Sequence, residues 1–300
     1  MTNLRKENSV NTNTLTNTLN NSHKFWSQVR VFIKYIVLVF GALVFLFPLY
    51  WLVITAFKAD VNMFRTPPQL FPNPIDFGHM PRMFRHYDFF LYLFNTLWLV
   101  FLNLAGVLLT APLVAYSMSR LRWRGRNFCF MVILATMMLP AQVTMIPLYI
   151  IFSQLGYVDT HVPLFIGSWL GGGAFNIFLI RQFFMTIPAD IEESARIDGA
   201  GVFLIYWRIM LPLITPVLTT ISIFVFMGTW NDFMGPLLYL NSPELFTLSI
   251  SLVLFQQQLG TMDYGMLFSA TLLMVIPVIA FFFLCQRKFI EGITLTGMKA

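Results

Sequence analysis

Four carboxylates lie within nine positions of the segment PADIEESARIDGAG (residues 188–201), at Asp190, Glu192, Glu193 and Asp198. They are nearly a third of the 13 acidic residues in a chain of 300. Carboxylates this close together could coordinate a metal ion, form ion pairs, or keep a loop in water. A metal site is the least favoured of the three, because one short segment offers no histidine and no second group of ligands.

A second group of polar residues is Trp230-Asn231-Asp232, in a largely apolar stretch. Proteins bind a sugar by stacking its apolar face on an aromatic ring and by hydrogen-bonding its hydroxyl groups. These three residues and Gln142 are therefore candidate residues of a substrate pathway. Tryptophan is also enriched where helices leave a membrane, so an interfacial role for Trp230 stays open.

Motifs for chemical catalysis are absent from the sequence. There is no GxxxxGK[ST] phosphate loop and no HExxH zinc motif, and the four histidines are scattered. The sequence therefore predicts a protein that is not an enzyme and that holds no cofactor or metal of its own.

The elements that must position these residues are membrane spans. Hydrophobic residues make up 57% of the chain and charged residues only 11%. A helix needs about 20 mostly apolar residues to cross a bilayer. The six segments that meet this requirement are Tyr35–Phe57, Leu91–Ser117, Phe128–Phe152, Pro163–Ile180, Pro212–Leu238 and Gly265–Cys285. We predict an all-α integral membrane protein with six transmembrane helices within residues 31–288.

Basic residues are divided unevenly between the segments that connect the spans. Fifteen Lys and Arg lie in the two tails and after spans two and four, against four in the first loop of the other side. Positively charged loops stay in the cytoplasm, so both termini and the acidic segment are predicted to be cytoplasmic. Residues 1–30 are predicted to be a disordered tail, and residues 289–300 a second cytoplasmic tail. Topology then explains the net charge of +6, and no nucleic-acid binding is predicted.

The acidic segment carries signals for a helix. Asp190 followed three residues later by Glu193 matches a capping box with Asp190 as the N-cap. This pattern predicts a short helix over residues 191–198. Glu192 and Arg196 lie one turn apart and predict an exposed ion pair worth a few tenths of a kcal/mol.

A second helix follows after a turn. Gly199 suits the left-handed position that ends a helix. Residues 202–210 form an amphipathic stretch that leads into span five, so residues 186–212 are predicted to be a helix–turn–helix between spans four and five. Ser194 and Ala195 are small, which would allow another protein to pack closely against the first helix.

Residues 193–212, ESARIDGAGVFLIYWRIMLP, resemble the EAA-x3-G-x9-I-x-L-P signature of the permease subunits of binding-protein-dependent ABC importers. The only departure is serine in place of the first alanine. The matching residues are Glu193, Ser194, Ala195, Gly199, Ile209, Leu211 and Pro212.

Other segments resemble the carbohydrate-uptake branch of these importers, in particular the maltose-type second permease. They are MLPAQVTMIPLYIIF (138–152), IRQFF (180–184), SARIDGA (194–200), TWNDFMGPLLYLNSPELFTLSISL (229–252) and QRKFIEGITLTGMKA (286–300). The resemblance covers the chain from about residue 33 to its end.

This resemblance implies an ATP-driven importer that moves a carbohydrate by alternating access. The expected class of carbohydrate is an oligosaccharide. Residues 186–212 would dock on a cytoplasmic ATPase, which would bind ATP and Mg. The implied partners are a second homologous permease, two ATPase subunits, an extracytoplasmic solute-binding protein, the carbohydrate and membrane lipid. The loops 58–90 and 239–264 would receive the binding protein. The implied coupling residues are Glu193, Ser194, Ala195, Asp198, Gly199, Ile209, Leu211 and Pro212.

Two alternatives remain at this point. The same machine could carry glycerol phosphate, a polyamine or an amino acid. An ion-coupled secondary transporter is less favoured, because the predicted spans contain no centrally placed charge and Asp232 falls near the outer boundary.

Overall fold

The computed structural model describes the backbone of residues 3–258 and 263–297 and the side chains of residues 28–256 and 263–286. In these ranges every regular element is helical, as predicted. Short 3-10 turns lie at Asp60–Asn62 and Pro243–Leu245, and a π-helical turn at Tyr206–Met210. The α-helices are α1 (Asn3–Ala56), α2 (His79–His86), α3 (Phe89–Ser119), α4 (Arg126–Thr136), α5 (Ala141–Gln154), α6 (Val162–Trp169), α7 (Ala174–Thr186), α8 (Asp190–Ile197), α9 (Val202–Ile205), α10 (Leu211–Leu213), α11 (Thr215–Trp230), α12 (Met234–Tyr239), α13 (Leu248–Gln258) and α14 (Tyr264–Gly297).

The first of two compact units, Met1–Asp76, contains α1. Its part Gln28–Ala56 is long and apolar enough to cross a membrane, which confirms the first predicted span. The backbone of α1 is helical from Asn3, whereas the sequence predicts a disordered tail over residues 1–30. The side chains of residues 1–27 lie outside the described part.

The second unit, Phe77–Ala300, contains the other spans. Three of its helical stretches are long and apolar enough to cross a membrane: Phe89–Ser119, Val162–Thr186 and Tyr264–Gln286. The described residues contain six spans, the predicted number, if each of two bent helix pairs counts as one. The predicted tail 289–300 falls on residues whose side chains lie outside the described part.

The two bent pairs break at identifiable residues. α4 and α5 meet at 99°, with Pro140 as the extended residue before α5. Proline lacks the backbone N–H of a helix interior and disfavours helical backbone in the residue before it. The helical segment Val202–Leu213 meets α11 at 72°, with Ile214 at the bend.

The prediction that span five runs from Pro212 to Leu238 is wrong at its C-terminal end. α11 ends at Trp230, and α12 is a separate helix. Asp232 is the reason, since its carboxylate accepts the Gly235 N–H at 3.0 Å and thereby stabilises a turn between the helices.

Span four is broken by three consecutive glycines. Gly171, Gly172 and Gly173 have φ of 107°, 74° and 87°, a conformation that side chains disfavour. A Cβ added to Gly172 would lie 2.6 Å from the Cβ of Ala111 in α3. The break therefore lets α6 and α7 both approach α3 closely.

Buried apolar residues of the second unit form two clusters, and α3 and α11 contribute to both. The α8 cluster joins the later part of α3 to α7, α8, α9 and the start of α11. The α14 cluster joins α2 and the early part of α3 to the end of α11, α13 and α14. Their buried members include Ala115, Phe184, Ala195, Tyr206 and Met210 in the first and Met83, Val100, Phe226, Trp230 and Leu248 in the second.

The chain between α12 and α13, residues 240–247, is held by side-chain hydrogen bonds to its backbone. Asp159 Oδ1 accepts the N–H groups of Asn241 and Ser242 at 2.8 Å each. The Ser242 hydroxyl donates to the other oxygen of the same carboxylate. These three bonds lower the pKa of the Asp159 carboxyl, because they favour its ionised form.

Residues of α3 hold the other side of this segment. Asn95 Nδ2 donates to the carbonyls of Glu244 and Phe246 at 2.8 and 3.0 Å. The Leu248 N–H donates to the Thr96 hydroxyl oxygen at 2.9 Å. We call the α14 cluster together with residues 240–247 and these anchors the α14 region.

Candidate functional site

α8 begins one residue earlier than the capping-box pattern predicts. Ala189 is the N-cap, and its carbonyl accepts the N–H groups of Glu192 and Glu193 at 2.9 and 3.1 Å. Asp190 therefore lies inside the helix and caps nothing, so that prediction is wrong.

The end of α8 confirms the predicted left-handed turn. Gly199 has φ +83°, and a Cβ there would meet no atom within 4 Å. Its N–H donates to the Arg196 carbonyl at 3.0 Å, and the Ala200 N–H donates to the Ala195 carbonyl at 2.9 Å. These bonds satisfy carbonyls that a helix end otherwise leaves without a partner.

The inward face of α8 carries a buried carboxylate. Arg196 Nη2 lies 3.4 Å from Glu192 Oε2, so the predicted ion pair exists, but Glu192 is 4% exposed and the prediction of an exposed pair is wrong. Glu192 shares a helix face with Ala195, which is 8% exposed. This face packs into the α8 cluster and takes Glu192 with it.

Tyr116 of α3 and Arg120, which directly follows α3, surround the Glu192 carboxylate. Arg120 Nε lies 3.3 Å from Glu192 Oε1, in ion-pair contact without the alignment of a hydrogen bond. The Tyr116 hydroxyl donates to Glu192 Oε2 at 3.5 Å. We call Tyr116, Arg120, Glu192 and Arg196 the Glu192 network.

Arg120 also contacts the end of α7. Its Nη2 donates to the Ile187 carbonyl at 2.5 Å and to the Phe184 carbonyl. These carbonyls belong to the last turn of α7 and its C-cap, where backbone acceptors are free and a positive charge is favourable. Unlike the exposed Arg122 and Arg124, Arg120 is therefore a structural cation.

The outward face of α8 is polar and exposed. Glu193, Ser194 and Asp198 are all exposed, whereas Ala195 is buried within the chain and is not part of this face. Ile197 adds an apolar side chain that is 87% exposed. A groove of about 610 Å³ runs along α8; its lining residues are Ser119, Arg120, Leu121, Arg122, Arg126, Ala189, Glu192, Glu193 and Arg196.

The last three residues of the predicted signature lie in the second half of the helix–turn–helix. Ile209 and Leu211 pack partly against the α8 cluster, and Pro212 is exposed. The Phe203 and Trp207 rings stack on its outer face, with centroids 6.5 Å apart and an interplanar angle of 10°. Both rings lie in the amphipathic stretch 202–210, where sequence reasoning missed their pairing.

Trp230 lies in the α14 cluster. It is 1% exposed, and its ring stacks on Phe226 at 5.5 Å between centroids. Its ring is therefore occupied by the core. Asn231 and Gln142 are both exposed, and Asn231 Nδ2 donates to the Met227 carbonyl at 2.8 Å.

Asp232, a predicted pathway residue, lines a cavity. This cavity measures about 220 Å³, and its lining residues are Leu99, Asn103, Leu164, Gly228, Thr229, Asp232, Pro236 and Thr247. Asn103 Nδ2 donates to the carbonyls of Leu99 and Leu164 at 3.0 and 3.1 Å. Sequence reasoning missed Asn103, although an amide within an apolar span is itself a signal.

The family model for "Binding-protein-dependent transport system inner membrane component" matches residues 103–294, well over half of the chain. The chain belongs to this family. The match includes α8, the Glu192 network and every lining residue of the 220 Å³ cavity except Leu99. This inner membrane component is a subunit of a transport system and not an enzyme, as the sequence predicts, and its six helical spans fit that assignment.

Relatives in the family include permeases named for oligosaccharides and for sn-glycerol 3-phosphate. This chain is 31% identical over 261 residues to the arabinooligosaccharides transport system permease protein AraQ of Bacillus subtilis. The alignment covers 86% of this chain and 92% of AraQ. The chain is 31% identical over 270 residues to the sn-glycerol-3-phosphate transport system permease protein UgpE of Yersinia enterocolitica, covering 86% and 94%. A crystal structure of a bacterial ABC transporter that imports the acidic polysaccharide alginate aligns with TM-score 0.75 and 27% identity, covering 87% of this chain and 97% of the other.

Proposed function

We propose that this chain is the permease subunit of an ABC importer that carries a carbohydrate into the cytoplasm by alternating access. The proposed class of carbohydrate is an oligosaccharide. The chain's likeness to an arabinooligosaccharide permease and to an alginate importer supports a carbohydrate substrate. In this proposal the chain crosses the cytoplasmic membrane with both termini inside. It pairs with a different but homologous permease, two ATPase subunits that bind ATP and Mg, and an extracytoplasmic binding protein.

The observation that carries the proposal is the division of α8 into two faces. Its inward face is fixed to α3 and α7 through Glu192, while Glu193 and Ser194 stay exposed on the outward face. Gly199 turns the chain back toward span five at the end of this face. A short helix anchored on one side and open on the other suits contact with a partner that moves, such as an ATPase that closes on ATP.

The cavity at Asp232 supports a hydroxyl-rich substrate. Thr229 and Thr247 carry hydroxyl groups there, and the Asp232 carboxylate is a further hydrogen-bond acceptor. At about 220 Å³ the cavity is smaller than typical ligand sites of roughly 300–1,000 Å³. We therefore place it on one side of a wider passage shared with the second permease and opened during transport.

The test is a reconstituted complex. The chain is co-expressed with its genomic neighbours, and ATP hydrolysis is measured with the binding protein and three probes: arabino-oligosaccharides, alginate oligosaccharides and sn-glycerol 3-phosphate. Glu193→Lys and Gly199→Asp are compared with Asp190→Lys, which makes the same charge reversal as the first variant three residues earlier, at the first residue of α8.

We expect an oligosaccharide to stimulate hydrolysis in the wild type and in Asp190→Lys, and neither Glu193→Lys nor Gly199→Asp to respond. Stimulation by sn-glycerol 3-phosphate alone would replace the carbohydrate assignment. If no ATPase co-purifies, or if both test variants keep normal stimulation, the docking role of α8 is refuted.

A further inference from the structure

We propose that Arg120 and Glu192 are positioning residues that lock α8 to the inner ends of α3 and α7, so that the three helices move as one body. This inference rests on the proposed function, because it concerns how a displacement of α8 by an ATPase reaches the spans. It goes beyond docking, since neither residue belongs to the outward face of α8.

The first argument is the number of elements that Arg120 joins. Arg120 directly follows the last residue of α3. Its guanidinium donates to two carbonyls at the end of α7 and lies 3.3 Å from the carboxylate of Glu192 in α8. Arginine presents several donors in one rigid plane, whereas a lysine offers a point charge. One side chain therefore fixes three helix ends relative to one another.

The second argument is that the charges are buried. The Arg120 and Glu192 side chains are 11% and 5% exposed. Separating them would leave an uncompensated charge in a poorly solvated site, which is far more costly than parting an exposed pair. A sliding or hinged contact between α8 and α3 would be expected to use exposed charges or apolar surfaces.

The third argument is that aromatic packing seals the same junction. The Tyr116 ring lies 5.6 Å from Phe184 of α7 and 5.2 Å from Tyr206 after α9, measured between centroids. Ala195 of α8 is buried in the same cluster. Interiors packed in this way have discrete arrangements and do not deform continuously, so they transmit displacement.

The experiment measures rigidity directly. Cys129 and Cys285 are replaced by alanine in the assembled complex, and spin labels are attached at two exposed positions, Asp190 of α8 and Leu113 of α3. The distance distribution between the labels is recorded without nucleotide and after trapping with ATP, Mg and vanadate. The variants are Arg120→Gln, Arg120→Lys and Glu192→Gln, and the matched control is Arg122→Gln in the same segment.

We expect one distance distribution in both nucleotide states for the wild type and Arg122→Gln. Arg120→Gln and Glu192→Gln should broaden the distribution and make it shift on trapping, with Arg120→Lys between them and the wild type. Binding-protein-stimulated ATP hydrolysis should fall at least about fivefold in Arg120→Gln while the ATPase stays bound.

Several outcomes overturn the inference. A nucleotide-dependent shift in the wild type, or an unchanged distribution in both Arg120→Gln and Glu192→Gln, would show that α8 is not locked by this pair. If Arg120→Gln does not assemble, the nearly isosteric Glu192→Gln decides. Failure of the ATPase to bind the wild type would instead refute the proposed function, and with it the reason for the lock.

Discussion

The α8 region, meaning the α8 cluster with the Glu192 network, and the α14 region bury their polar groups in different ways. In the α8 region an ion pair joins side chains of separate helices, Arg120 and Glu192. In the α14 region the anchoring side chains bond mainly to backbone groups, as Asn95 does to the carbonyl of Glu244 and the Asp159 carboxylate to the N–H groups of Asn241 and Ser242. A buried ion pair requires both partners in place, whereas an amide or hydroxyl that bonds to backbone shapes one irregular segment. The comparison indicates that the α8 region is built to hold helices together and the α14 region to hold a loop in shape.

The largest expected effect is in the α14 region. Trp230→Ala should lower the free energy of unfolding by about 3–5 kcal/mol, because it removes a large ring that is 1% exposed and leaves a cavity. Trp230→Phe keeps a ring against Phe226 and should retain assembly and uptake. Thermal unfolding of the purified chain and the KM for uptake measure the two effects. A raised KM in Trp230→Phe with normal stability would return Trp230 to the substrate pathway.

The next effect separates two adjacent acids of α8. Glu192→Ala should cost about 2–3 kcal/mol, somewhat less than a fully broken buried pair, because Arg120 keeps its carbonyl bonds and Arg196 is half exposed. Glu193→Ala should change stability by less than about 0.5 kcal/mol, since its side chain is exposed. Chemical denaturation of both variants in detergent gives the difference. Equal losses would remove the distinction between the two faces of α8.

A smaller effect is expected at the end of α8. Gly199→Ala should cost about 1–2 kcal/mol, because an L-residue is disfavoured at φ +83° even where space is open. Gly201→Ala is the matched control, since Gly201 has φ −72° and is equally open. Thermal unfolding of both variants tests this, and equal midpoints would contradict the conformational argument.

The smallest effect is a pH dependence in the α14 region. Hydrogen bonds from Ser242 and Asn241 lower the pKa of Asp159, so its folded pKa lies below the unfolded value of about 3.9. Its contribution to stability is therefore full above the unfolded pKa and is lost as pH falls through the folded pKa. Asp159→Asn should weaken that part of the acid dependence. Thermal unfolding between pH 6 and pH 3 compares the variant with the wild type, and identical pH profiles would refute the role of this carboxylate.

Features encoded by local composition could be predicted from the sequence. The six spans follow from runs of apolar residues, whose length the bilayer sets directly. The left-handed conformation of Gly199 follows from a single position after a helix pattern, and the structure has it at φ +83°. The family signature is recognised from residue types at a fixed spacing and needs no tertiary information.

Features that depend on tertiary contact could not be predicted from the sequence. Nothing in the local sequence distinguishes Glu192, which is buried, from Glu193, which is exposed, until α8 is packed on α3. Trp230 and Asn231 looked like a sugar-binding pair because they are adjacent, but one points into the core and the other is exposed. Asn103 was missed because its cavity is assembled from helices distant in sequence.

The hydrogen bonds from Arg120 to the end of α7 have a consequence for how such a junction evolves. Its acceptors there are peptide carbonyls of Phe184 and Ile187, so the side chains at these two positions carry no information about the contact. A substitution at either position changes packing in the α8 cluster but leaves the carbonyl acceptor in place, so an alanine scan of α7 would not report these hydrogen bonds. Arg120 is therefore the residue whose identity in the sequence reflects this contact with α7. A comparison of sequences alone would count it as one more basic residue in a positively charged loop.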